Sequence, residues 1–154
     1  MKTRIHFKEI SPQLYDGLSR IQSFIKRSEV EPKLVELIKY RVSQINGCAF
    51  CLDMHHKEAI HLGEQELRLH TLLAWRECPY FSEKEKAALA YAEALTIASE
   101  QGMPDEIYDD VAKYFDKNQI LVLTAVIMQI NSWNRLNIAF RPTPGNYVIG
   151  QFEK

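Results

Sequence analysis

Asn46-Gly47-Cys48-Ala49-Phe50-Cys51-Leu52-Asp53-Met54-His55 is a turn followed by the opening of a helix. Asn-Gly ends a helix readily, because glycine takes left-handed backbone without a side-chain clash. The residues after it return to helical character as far as Leu62. A helix, a tight turn and a second helix make an antiparallel hairpin. Cys48 and Cys51 lie side by side on the first turn of the second helix and can form a disulfide. The positive end of the helix dipole favours thiolate over thiol at that point. His55 stands one turn beyond Cys51 on the same face, within reach of its sulfur. Two sulfurs and a base so placed form a redox or nucleophilic device.

Working outward, the pattern is helical nearly throughout. Ser11-Pro12 and Glu31-Pro32 each put proline at a first helical position. Leu14, Leu18, Ile21 and Ile25 follow the first; Leu34, Leu37, Ile38 and Ile45 follow the second, which Asn46-Gly47 ends. The cysteine helix stops at Gly63. A fourth helix is predicted over Glu64 to Trp75, with Leu67, Leu69, Leu72 and Leu73 as its apolar residues. Cys78-Pro79-Tyr80-Phe81 is a break. Ser82 and Glu85 form a capping box for a helix running to Gly102. Pro104-Asp105-Glu106 starts a sixth, with acids where the dipole favours them. Asp116 with Gln119 caps a seventh, which runs to about Ala139 and is apolar almost all round from Ile120 to Ile130. Such a helix is central to a core or lies at an oligomer interface. Arg141-Pro142-Thr143-Pro144-Gly145 ends it and leaves a short extended tail. No alternating strand pattern is present, so the expected fold class is all-α, as a single domain over residues 1–154.

The hairpin places a carboxylate beside the histidine. Glu36 lies about 15 Å down the second helix from the turn, and His55 about 12 Å down the third, at 1.5 Å per residue. The two should therefore face each other. A carboxylate orients an imidazole and raises its basicity, and the imidazole can then take the proton of Cys51. Cys48 is placed to resolve a sulfenic acid or mixed disulfide on Cys51. Tyr40, one turn after Glu36, is expected in the same pocket.

Composition narrows the remaining classes. The chain has 154 residues, 46% hydrophobic and 25% charged, with a formal net charge of −1. Clustered excess Lys and Arg, the footprint of a nucleic-acid surface, is absent from the sequence. So are an apolar run long enough to span a bilayer and, at Met1 to His6, the apolar stretch of a secretory signal. A cytoplasmic protein with no nucleic-acid or membrane partner is expected. Three cysteines, two of them in one short motif, do not make a secreted disulfide framework.

Glu36, eleven intervening residues, then Cys48-x-x-Cys51-x-x-x-His55 resembles the signature of the AhpD-like alkylhydroperoxidases of the carboxymuconolactone decarboxylase superfamily. Trp75-Arg76-Glu77 with Phe81 to Leu89, and Asn131-Ser132-Trp133-Asn134-Arg135, resemble further family blocks, so the likeness covers about residues 10 to 147. It implies an AhpD-like helical bundle that forms a homo-oligomer. It also implies a thiol-dependent peroxidase or disulfide reductase without a cofactor, using a peroxide substrate and a dithiol reductant such as a lipoyl carrier. By the same resemblance Cys51 attacks the peroxide and Cys48 resolves it. The decarboxylase branch of the superfamily lacks the cysteine pair, which argues against lactone decarboxylation here. In one respect the chain departs from the pattern. Characterised hydroperoxidases carry histidine immediately before the second cysteine, where this chain has Phe50, a residue that neither titrates nor donates a hydrogen bond.

Other readings of the same residues are weaker. Zinc normally takes four ligands, and no second Cys pair exists. Cys48, Cys51, His55 and Glu36 together are the alternative metal set, and a non-catalytic redox sensor is the alternative for the thiols. Covalent haem attachment requires histidine where Leu52 stands. His56, His61 and His70 read as surface or edge histidines, and Cys78 as an inert half-buried thiol. Trp133 and Tyr91 read as core. Asn131, Asn134 and Arg135 read as structural, at an oligomer seam or the pocket rim.

Overall fold

The computed structural model describes residues 2–152 and is all-helical, with no strand among the described residues. Met1, Glu153 and Lys154 of the expected domain lie outside them. The helices are α1 (Pro12–Lys26), α2 (Pro32–Asn46), α3 (Ala49–His61), α4 (Glu66–Thr71), α5 (Glu83–Thr96), α6 (Ala98–Gln101), α7 (Asp105–Val111) and α8 (Lys117–Phe140). Short 3₁₀ turns lie at Phe7–Glu9 and Leu72–Glu77.

Local chemistry sets most boundaries. Proline occupies the first turn of α1 and of α2. Ser82 Oγ accepts the Glu85 N–H at 3.2 Å while Glu85 Oε2 accepts the Ser82 N–H at 2.8 Å. Asp116 and Gln119 make the same reciprocal pair at 2.8 and 3.1 Å. Each box satisfies two donors that the helix itself leaves unpaired. Ser11 caps nothing; its hydroxyl donates to Gln13 Oε1 at 2.5 Å.

Two predicted helices are broken. The fourth tightens to 3₁₀ after Thr71, and Ala74 leaves helical dihedrals at φ −117°, ψ 30°. Leu69, Leu72 and Trp75 are all buried. Leu67 and Leu73, the other two apolar residues there, are exposed. Trp75 Nε1 then donates to Glu93 Oε1 at 2.9 Å, where Arg41 Nε also donates at 2.6 Å. Arg76 Nη1 donates to Glu93 Oε2 at 2.6 Å. Burial pushes the Glu93 carboxyl up, but the bonds from Trp75, Arg41 and Arg76 outweigh it and hold it below its ordinary range. This hub ties α2, α5 and the 3₁₀ turn together. The fifth helix ends at Thr96, whose hydroxyl donates back to Ala92 O at 2.7 Å, a bond that bends helices.

α2 is the central element, packed by α3, α5 and α8. Leu37, Ile38 and Val42 from α2, Leu89 from α5 and Leu123, Val126, Ile127 and Ile130 from α8 are fully buried among one another. The sheathing of α8 is incomplete. Leu121 and Met128 are each 59% exposed and, with Ile21 and Phe24 of α1, line a shallow apolar groove. No helix among the described residues is long and apolar enough to cross a membrane.

Candidate active site

The site grows out of the turn between α2 and α3. Gly47 ends α2 in left-handed conformation, φ 67° and ψ 33°, which favours glycine. Cys48 follows as the N-cap of α3, and its sulfur accepts the Cys51 N–H at 3.4 Å. Cys48 and Cys51 are joined as a disulfide with Cα atoms 5.4 Å apart. Asn46 fixes the turn against α8: its Nδ2 donates to Asn131 Oδ1 at 3.0 Å and to Asn134 Oδ1 at 2.8 Å. Asn134 in turn donates to Ser43 Oγ at 3.1 Å. These two asparagines of α8 therefore hold the hairpin inside one chain, as structural residues.

The predicted carboxylate–histidine pair is formed. Glu36 Oε2 and His55 Nδ1 are 2.7 Å apart, and both side chains are buried. The other carboxylate oxygen accepts Lys39 Nζ at 2.8 Å. Lys39 is only 4% exposed and also donates to Gln22 Oε1 at 3.3 Å. Burial pushes the Glu36 carboxyl up, but the charges and hydrogen bonds of Lys39 and His55 outweigh it and hold the group at about 2. Glu36 is thus a carboxylate near neutral pH, and Nδ1 of His55 is turned toward it.

A stability effect follows from the depressed value. Ionised Glu36 stabilises the folded state above its ordinary value of 4.5, and the contribution is lost as the pH falls toward about 2. The difference in melting temperature between the parent and Glu36→Gln is therefore expected to be largest near neutrality and to shrink between pH 4.5 and 2. Thermal melts across that range check it; a difference independent of pH would refute it.

Glu36, Cys51 and His55 share a cavity of about 160 Å³, walled also by Phe50, Trp133 and Asn137. Cys51 is the one cysteine among the described lining residues. Asn137 Nδ2 donates to Cys51 Sγ at 3.2 Å. The remaining wall is aromatic. Phe7 lies 5.4 Å from Phe50 and 5.4 Å from Phe152, and Tyr147 stacks on Phe152 at 5.9 Å, centroid to centroid. The outer face of α3 holds this tail in place. Lys57 Nζ donates to the carbonyls of Gly145 and Tyr147 at 3.1 and 3.0 Å, Asp53 Oδ2 accepts the Gly145 N–H at 2.9 Å, and Tyr147 bonds to Glu58. Burial, then the bond to Glu58, push the Tyr147 phenol well above its ordinary value, so it stays protonated.

Other expectations fare differently. Tyr40 does not line the cavity; its ring lies against His56, 6.1 Å between centroids, on another face of α2. Trp133 does line it, with Tyr15 edge-on at 6.0 Å. Tyr91 is buried and bonded to Thr124 at 2.8 Å. His56 pairs with Glu66 at 3.3 Å, and Cys78 is a free, partly buried thiol. Among the described residues no group of three or more His, Cys, Asp and Glu side chains is arranged to hold a metal ion. Sequence reading missed Lys39, Asn137 and the terminal aromatics. Lys39 alone had a local signal, the i, i+3 spacing to Glu36, which usually marks a surface pair.

The sequence model of the carboxymuconolactone decarboxylase family matches residues 12–94. The uncharacterized protein YdfG of Bacillus subtilis is 43% identical over 139 residues, covering 90% of this chain and 95% of YdfG. A crystal structure from Agrobacterium tumefaciens, of a protein of unknown function proposed to be the antioxidant defence protein AhpD, superposes with a TM-score of 0.90 at 36% identity. It covers 95% of this chain and 100% of that one. An uncharacterized peroxidase-related protein from Silicibacter sp. TM1040 shares the fold, with a TM-score of 0.78 at 20% identity over 88% of this chain and 72% of the other. A CxxC pair in this fold is consistent with a peroxidase-related or redox role. By sequence match and by fold, the chain belongs to the carboxymuconolactone decarboxylase family, as an AhpD-like member.

Proposed function

We propose that this protein is a thiol-dependent peroxidase and disulfide oxidoreductase. Cys51 is the nucleophile, Cys48 the resolving thiol, and the Glu36–His55 pair moves the protons. The observation that carries this reading is the shared cavity: Cys51 opens into it beside His55 and Glu36, whereas Cys48 sits behind at the helix N-cap.

In the reduced protein His55 takes the Cys51 proton, and Glu36 supports the imidazolium that results. The Cys51 thiolate attacks the terminal oxygen of a hydroperoxide. The S–O bond forms, the O–O bond breaks, and the leaving alkoxide takes the proton from His55 to depart as an alcohol. Sulfur is oxidised to sulfenic acid while the peroxide is reduced. Cys48 then attacks the Cys51 sulfur, forming the disulfide and releasing water with the Cys48 proton. A dithiol reductant restores both thiols by two exchanges through a mixed disulfide, ending oxidised itself. A vicinal dithiol of the lipoyl type closes its own ring in the second exchange. The apolar wall of Phe50 and its neighbours favours an organic hydroperoxide.

A steady-state assay with cumene hydroperoxide and dihydrolipoamide tests this reading. Peroxide-dependent oxidation of the dithiol that requires both cysteines is expected. Protein that consumes no peroxide while its thiols are fully reduced would overturn the enzyme reading in favour of a redox sensor.

We further propose that the protein is cytoplasmic and acts as a homo-oligomer. The exposed apolar stripe of Leu121 and Met128 beside Phe24 supports assembly. Light scattering of reduced protein at low micromolar concentration should give a mass of two chains or more. A mass near 17.9 kDa would contradict it.

A further inference from the structure

We propose that Asn137 is a catalytic residue: its side-chain amide holds the sulfur of Cys51 and stabilises the thiolate that attacks. The inference rests on the peroxidase reading for the step it serves, but its first consequence, the acidity of Cys51, does not.

Asn137 lies near the C-terminal end of α8, far in sequence from the cysteine helix, yet it reaches the reacting atom. Nδ2 is 3.2 Å from Cys51 Sγ. The residue is 7% exposed and lines the cavity beside Cys51 and His55. Its other end bonds to nothing: Oδ1 is the one buried side-chain polar atom among the described residues without a hydrogen-bond partner. The asparagines earlier in α8 behave otherwise. Asn131 and Asn134 use both ends of their amides in joining α8 to its surroundings, to Asn46, Thr96 and Ser43. An unpartnered buried carbonyl costs stability, so a side chain placed for packing or for tying helices together would not leave one. What Asn137 does instead is aim a neutral donor at a sulfur.

A thiolate gains more from such a donor than a thiol or a disulfide does, because bonds to a charged acceptor are stronger than neutral ones. The bond therefore lowers the free energy of the reactive state relative to the resting ones. It also divides the labour with His55, since the imidazole takes the proton and the amide holds the charge left behind. Because an amide does not titrate, this support is constant across the pH range. When the S–O bond forms and the electron pair of the O–O bond leaves with the alkoxide, the charge moves off sulfur; Nδ2 transfers no proton at any stage.

The test uses the reduced full-length chain with Asn137→Leu and Asn137→Ser, each in the Cys48→Ser background so that a single site thiol is followed. Alkylation by iodoacetamide across pH gives the Cys51 pKa. Loss of the amide should raise it by about one to two units. The second-order rate with cumene hydroperoxide should fall roughly ten- to a hundred-fold at neutral pH. The melting temperature of Asn137→Leu made separately in the parent chain, with Cys48 present and the disulfide intact, should be equal to or above that of the parent, since the orphan carbonyl is gone. A structural asparagine would give the reverse: lower melting temperature, unchanged thiol pKa. If either folded variant keeps the parent's Cys51 pKa within about 0.3 unit, the proposal is wrong. If the pKa rises but the parent itself does not react with peroxide, Asn137 still stabilises the thiolate and the peroxidase reading alone fails.

Discussion

Replacing Cys51 with serine is expected to abolish peroxide reduction, a loss of at least about a thousand-fold, because a hydroxyl in its place is not ionised at neutral pH. Replacing Cys48 should act differently. Cys48→Ser should consume one equivalent of peroxide per chain, at a rate near that of the parent, and then stop with Cys51 as a sulfenic acid. The asymmetry follows from position. Cys51 borders the cavity and is contacted by Asn137, while Cys48 caps the helix with its sulfur toward the Cys51 N–H. Peroxide consumption under single-turnover conditions separates the two variants. Equal loss in both, or survival of the reaction in Cys51→Ser, would mean that the roles are assigned wrongly.

The second large effect concerns the buried triad of Lys39, Glu36 and His55. Glu36→Gln should slow the reaction with peroxide by about a hundred- to a thousand-fold, the scale of a lost proton-transfer partner. It should also destabilise the fold by about 3 kcal/mol, because Lys39 is left in a buried site without its counter-ion. A domain with ordinary stability survives that loss, with a lowered melting temperature. The double variant Glu36→Gln, Lys39→Met should recover most of the stability and none of the rate. Stability tracks the unpaired Lys39 side chain, whereas the rate tracks the carboxylate on His55, 2.7 Å away. Recovery of the rate in the double variant would show that the slow reaction of the single one was a folding defect.

What could be read from the chain divides along the range of the interactions. The caps are local chemistry, so Pro12, Pro32, Gly47, Ser82 with Glu85, and Asp116 with Gln119 mark helix ends correctly. The Glu36–His55 pair was legible because a tight turn fixes the depth of both helices, and simple rise per residue then matches them. Tyr40 shows the limit of that arithmetic. It shares a helix with Glu36 but turns toward His56 and away from the cavity. The break at Ala74 depends on where Leu72 and Trp75 are packed, which no local signal encodes, whereas the one after Thr96 has only the weak local signal of a threonine hydroxyl bonding back to Ala92 O. Asn137 and the aromatic wall of Phe7, Tyr147 and Phe152 come from the far ends of the chain. Only the folded bundle brings them to Cys51. In the sequence Phe50 stands out as the absence of a titrating group, and the structure gives it a positive role as a cavity wall packed on Phe7.

In the proposed function the Cys48–Cys51 pair cycles between dithiol and disulfide at the expense of a peroxide. Fully reduced protein mixed with one equivalent of cumene hydroperoxide tests it most directly, by thiol titration, product analysis and peptide mass. The expected result is the loss of two thiols per chain, one equivalent of the alcohol, and a Cys48–Cys51 cross-linked peptide with Cys78 still free. Protein that keeps all three thiols while the hydroperoxide remains intact would contradict it.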